Sequence, residues 1–79
     1  MQGATRRWRL TRTTQTNRIV IAHYSAQVRR LGYLRGTRPG DSSSSHRSWF
    51  RGDACIRVLI TTDRLIILTA EEECAGGRP

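Results

Sequence analysis

Four side chains in this chain of 79 residues could ligate a metal or serve a nucleophile: Cys55, Cys74, His23 and His46. Successive members stand 9 to 23 residues apart, with no closely spaced Cys or His pair to seat zinc. No metal site is expected. A Cys55–His46–Asp53 arrangement could be drawn as a nucleophile triad, but Cys55 falls in an apolar run where a thiol is normally inert. The phosphate-cradling, dinucleotide, metalloprotease and nucleophile-elbow motifs are all missing. Neither enzymatic activity, nor a cofactor, nor a small-molecule substrate is expected.

A second set of residues points to binding. Trp8 lies between Arg7 and Arg9, and Trp49-Phe50 lies between Arg47 and Arg51. Tyr33 is flanked by Arg30 and Arg35. Guanidinium groups neutralise phosphates while rings stack on unpaired bases, at roughly 1–3 kcal/mol per stacked base. Trp49, Phe50 and Tyr33 could equally be core residues. Trp8, with almost nothing aliphatic around it, is the best placed of these rings to stack.

The charge is divided unevenly. Residues 1–38 carry nine arginines and no acid, whereas residues 39–79 carry five arginines against six acids. The halves are therefore +9 and −1, which points to a polyanion bound by the first half. Every basic side chain apart from histidine is Arg, whose planar fork suits phosphate oxygens, although a GC-rich coding sequence would also favour Arg over Lys. The expected partner is RNA, contacted by Arg6, Arg7, Trp8, Arg9 and Arg12 along an arm and by Arg29, Arg30, Arg35 and Arg38 beyond it. The expected role is sequence-tolerant RNA binding as a small architectural component of a ribonucleoprotein such as a ribosome. The alternative is an interaction subunit or regulator that docks residues 54–70 on a protein partner or dimerises through them.

The expected fold is a small single α+β domain with a disordered basic N-terminal arm, one helix and a C-terminal β-hairpin. Residues 1–16, rich in Arg and Thr, would form the extended arm. Residues 17–70 would form the domain, with a flexible loop at 36–48, and residues 71–79 an acidic and glycine-containing tail. Val20, Tyr24, Val28 and Leu31 recur at helical spacing, with Asn17 as N-cap and Gly32 as a stop, so a helix is expected near 18–31. Ile19, Val20 and Ile21 leave a strand over residues 18–24 as the competing reading. Two β-branched runs predict strands near 54–61 and 64–70 with a turn at Thr62-Asp63. Leu65-Ile-Ile-Leu68 is continuous rather than alternating, which implies that both faces of the hairpin are covered.

Arg51-Gly52-Asp53 spells an adhesion tripeptide, but a turn before the strand explains it. No apolar leader or span-length run is present, so neither export nor membrane binding is expected. Cys55 and Cys74 are accordingly expected as free thiols in an intracellular, reducing setting. The acid-free Arg-rich beginning also fits an organellar (mitochondrial) address.

Overall fold

The computed structural model describes residues 5–38, 41 and 45–74, apart from the side chains of Arg9, Leu10 and Thr11. The elements run β1 (Thr5–Arg12), α1 (Asn17–Arg30), β2 (Leu34–Gly36), β3 (His46–Arg51), β4 (Ala54–Ile60) and β5 (Leu65–Glu71). All five strands form one antiparallel sheet in the order β1-β5-β4-β3-β2.

This corrects the expected fold. The two C-terminal strands do not stand as a hairpin: β4 lies between β3 and β5, and β5 lies between β4 and β1. The expected disordered arm is strand β1, in register with β5 from Thr5↔Glu71 to Arg9↔Ile67, with a bulge before Arg12↔Leu65. A basic segment that cannot bury a core of its own is ordered by the backbone ladder that β5 offers. Part of the expected flexible loop is strand β3, which starts at His46, while residues 39–40 and 42–44 lie outside the described residues.

The helix forms near its expected place. Thr16, rather than Asn17, is the N-cap, its hydroxyl accepting from the Ile19 N–H at 3.4 Å. Gly32 follows the last turn with φ +89°, the left-handed conformation of a C′ residue. Leu31 is the C-cap and 59% exposed, so the buried stripe stops at Val28. Gly52, with φ +59°, is the first of two residues linking β3 to β4, as a type II′ hairpin turn requires. The adhesion-like tripeptide is therefore hairpin geometry.

Residues directly opposite on antiparallel strands share a face. One face carries Trp49, Ile56, Val58, Ile60, Ile66, Leu68 and Ala70, and α1 packs Val20, Ile21, Tyr24 and Val28 onto it. The helix lies over β4, β3 and β2 and leaves β1 uncovered. The other face carries Ser48, Phe50, Cys55, Arg57, Leu59, Leu65 and Ile67. Among the described residues no helix lies there, and Leu59, Leu65 and Ile67 are only half-buried, so the continuous apolar run does not mean a face sealed on both sides.

At one end of that second face the chain closes over itself. Cys74 is joined to Cys55 in a disulfide, and the Cys74 N–H donates to the Asp53 carbonyl at 2.9 Å. The expectation of free thiols is thus corrected: the tail crosses back to the start of β4 and brings the sulfurs together. Asp41 folds over the same face, meeting Arg57 Nη2 at 2.7 Å and accepting from the Arg38 N–H at 3.0 Å. Arg38 Nη1 lies 3.4 Å from both Glu71 Oε1 and Cys55 Sγ.

Candidate functional site

α1 packs over β2, β3 and β4, so the strip of sheet between the helix and β1 has no helix above it and is called the cleft; a separate hollow lies at each end of it. The floor of the cleft is the β5 row Ile66, Leu68 and Ala70, a span of about 14 Å at 3.4 Å per residue. Its outer wall is β1, where Arg6 stands opposite Ala70 and Trp8 opposite Leu68. Trp8 is 42% exposed although it sits on a strand beside an apolar neighbour. At one end of the cleft lies a cavity of about 520 Å³ bounded by Arg12, Thr13, Val20, His23, Tyr24 and Ile66. The other end is a hollow of about 150 Å³ bounded by Arg6, Tyr33, Arg51, Ala54, Ala70, Glu71 and Glu72.

Local structure sets each of these side chains. The β1–β5 register places Arg6 and Trp8 on the helix side and Arg7 on the other, because side chains alternate along a strand. Arg51, at the end of β3, stacks over the Tyr33 ring at 4.7 Å and donates to the Leu31 carbonyl at 2.7 Å. Arg64 has φ +67° in the β4–β5 turn and reaches Asn17 Oδ1 and the Gln15 carbonyl, while its own carbonyl accepts from Thr13 N–H at 3.0 Å. It braces the segment that leads from β1 into α1. His23 and Tyr24 pack edge to face with ring centres 5.1 Å apart, and burial raises the Tyr24 pKa above its usual value.

The nine residues expected to bind a polyanion fall in different places. Arg6, Trp8 and Arg12 border the cleft. Arg29 and Arg30 are exposed in the last turn of α1, next to the Tyr33–Arg51 end of it. Arg7 lies on the helix-free face with His46, Arg57, Leu59, Ile67 and Thr69 around a hollow of about 140 Å³. Arg35 is exposed on β2, across α1 from the cleft. Arg38 is engaged by Glu71 and Cys55. The Arg9 side chain lies outside the described residues.

Trp49 and Phe50 are core, at 0% and 3% exposure, and they point to opposite faces of β3. Among the described arginines, Arg18, Arg47, Arg51, Arg57 and Arg64 were absent from the expected set. Arg51 and Arg47 could have been found, because they flank the same aromatic pair that drew attention to the segment.

On the helix-free face two groups titrate abnormally. Burial works against the Asp41 carboxylate, but the Ser48 hydroxyl beside it, the Arg38 N–H and the Arg57 guanidinium prevail and hold its pKa below the usual range. Burial, and then the positive charge of Arg57, push the His46 pKa down, with Asp41 opposing them in part. Ligand atoms of Cys55, Glu71 and Cys74 lie within 4.8 Å of one another. With both sulfurs bonded to each other and Arg38 beside them, this cluster is set up as a clamp on the tail and not as a cation site.

Among the described residues no helix is long and apolar enough to cross a membrane. No protein family, curated protein or solved structure matches this chain.

Proposed function

We propose that the protein binds single-stranded RNA, without strong sequence preference, along the cleft between α1 and β1, as a small architectural component of a ribonucleoprotein such as a ribosome. The observation that carries this reading is Trp8, 42% exposed and aligned with Arg6 on the strand that walls the cleft. An exposed indole beside guanidinium groups offers stacking to a base and charge to its phosphate. Arg12 stands at one end and Arg51 at the other, where Glu71 and Glu72 also border the hollow, and Arg29 and Arg30 lie beyond it. Unpaired bases present a face to stack on, which a duplex does not.

Binding of a labelled, unstructured oligoribonucleotide, followed by anisotropy, tests this. Trp8→Ala should weaken binding by about tenfold, matching the loss of one stacked base. The triple change Arg6→Ala, Arg12→Ala and Arg51→Ala should abolish it at moderate salt. Affinity unchanged by both variants would remove the cleft from the reading.

A second reading has an observation in its favour. Leu59, Leu65 and Ile67 form a half-exposed apolar strip on the helix-free face, framed by Arg7 and Arg57. A protein partner or a second copy would dock there face-on, since β4 and β5 are paired along both edges. Such an interface would respond little to salt.

A further inference from the structure

The acidic end of β5 meets one end of the cleft. Glu72, the first residue past the strand, is exposed and borders the same hollow as Arg6 and Arg51. Arg51 is held there by the Tyr33 ring and the Leu31 carbonyl, and Arg6 is exposed on β1. Glu71 is engaged elsewhere: its Oε1 lies 3.4 Å from Arg38 Nη1 on the helix-free face. Of the two acids at the hollow, Glu72 is thus the one that Arg38 does not take.

Glu72 is bracketed on both sides. Before it, Glu71 is paired with Thr5 and with Cys55 in the ladder. Two residues after it, Cys74 is bonded to Cys55 and donates its N–H to the carbonyl of Asp53, in the turn that follows Arg51. Two residues span at most about 7 Å, so a fixed Cys74 keeps Glu72 beside the Arg51 end.

The bracket at Cys74 can be opened. Cys74 is half-buried whereas Cys55 is 1% exposed, so an incoming thiolate meets the Cys74 sulfur. Cys55 is then the leaving thiolate, and Arg38 Nη1 lies 3.4 Å from its sulfur. A cation there favours the thiolate and speeds its departure.

We propose that the tail is a redox-controlled strap. The Cys55–Cys74 bond holds Glu72 against the Arg6–Arg51 end of the cleft, where it competes with RNA phosphates, and reduction removes that competition. The strap regulates the cleft proposed above and so depends on RNA binding there. Two equivalents of a low-molecular-weight thiol supply the reduction. The S–S bond breaks, each cysteine sulfur gains an electron and a proton, and the two thiols leave as their own disulfide. Cys74 then keeps its backbone hydrogen bond to Asp53, a weak tether beside a covalent one.

The test follows a labelled, unstructured oligoribonucleotide by anisotropy at low salt, with the full chain first oxidised and then treated with dithiothreitol. A thiol count confirms that the bond has opened, and circular dichroism confirms that α1 is kept. Affinity should rise about two- to fivefold on reduction, the range of one exposed charge pair. Oxidised Glu72→Gln should bind as tightly as the reduced wild type and respond no further to dithiothreitol. Glu73→Gln removes the same charge from a position that does not border the hollow, and it should keep the redox response. Cys74→Ser should match the reduced protein under both conditions.

Weaker binding after reduction, or a full redox response in Glu72→Gln, would overturn the proposal. Should reduction melt α1, oxidised Glu72→Gln is compared directly with oxidised wild type, and equal affinity overturns it. Wild-type protein that binds the strand equally in both redox states rejects the strap and leaves the cleft reading standing. Wild-type protein that ignores the strand in both states removes the cleft reading and the strap with it.

Discussion

On the helix side of the sheet, Val20, Val28, Trp49, Ile56, Val58, Ile60 and Ile66 are buried against one another with no charged side chain among them. On the other side, Ser48, Phe50 and Cys55 are buried under a disulfide, an Arg38–Glu71 contact and an Arg57–Asp41 pair. The first side draws on apolar packing, which is indifferent to proton and electron supply. The second relies on groups that titrate or can be reduced. The described residues offer one helix for two sheet faces, and the second face is closed in part with polar and covalent devices. Solution conditions should therefore loosen one face while sparing the other.

The largest expected effect is on the helix side. Trp49→Ala empties a wholly buried site and should cost about 3–5 kcal/mol in a denaturant titration, enough to unfold much of the population. Next comes the tail clamp. Reducing the Cys55–Cys74 bond, which spans 19 residues, should cost roughly 3 kcal/mol on chain-entropy grounds. Hydrogen exchange should then rise at the Cys74 amide, which donates to the Asp53 carbonyl, while α1 stays protected. Equal loss of protection on both faces would break the distinction between them.

Smaller effects sharpen it. Asp41→Asn removes the charge facing Arg57 and should cost about 1–2 kcal/mol, with Arg57 left half-exposed to find water. Acid should act on the same face in two stages. His46 has a folded pKa below its ordinary 6.5, so the folded state resists its protonation and stability declines as pH falls below that value. Asp41 has a folded pKa below its ordinary 3.8, so its contribution is intact above that value and is lost as pH falls through the folded pKa. Melting temperature against pH should show both declines, and Asp41→Asn should erase the lower one. Trp8→Ala, on an exposed site, should change stability by less than about 0.5 kcal/mol.

How much of this was legible in the residues depends on the range of the forces involved. Helix α1 has a local signature in Val20, Tyr24, Val28 and the positive-φ Gly32, and the strand reading for residues 18–24 loses to it. Strands β4 and β5 are legible from β-branched runs. β1 is not, because Thr5–Arg12 has no apolar alternation and becomes a strand only through the ladder β5 supplies from nearly sixty residues away. That one non-local pairing turns an expected disordered arm into an edge strand and covers the outer edge of β5, while β3 covers the outer edge of β4. The disulfide is hidden for the same reason, since the approach of Cys74 to Cys55 depends on the tail's bond to Asp53.

Trp8 among arginines was visible as a stacking candidate. The cleft beside it was not, because its width is set by where α1 lies across β2, β3 and β4. Arg38 shows the converse: it resembles its neighbours in sequence, yet a chain reversal gives it to Glu71.

The claim that joins these observations is that the open flank beside β1 is a cationic path for a single strand. The salt dependence of affinity for an unstructured oligoribonucleotide tests it most directly, with Arg6, Arg12 and Arg51 taken as three phosphate contacts. The logarithm of the association constant should fall linearly with the logarithm of salt at a slope of about −2, and Arg6→Ala should reduce that slope by about 0.7. A slope near zero, or one that the Arg6 change leaves untouched, would contradict the account.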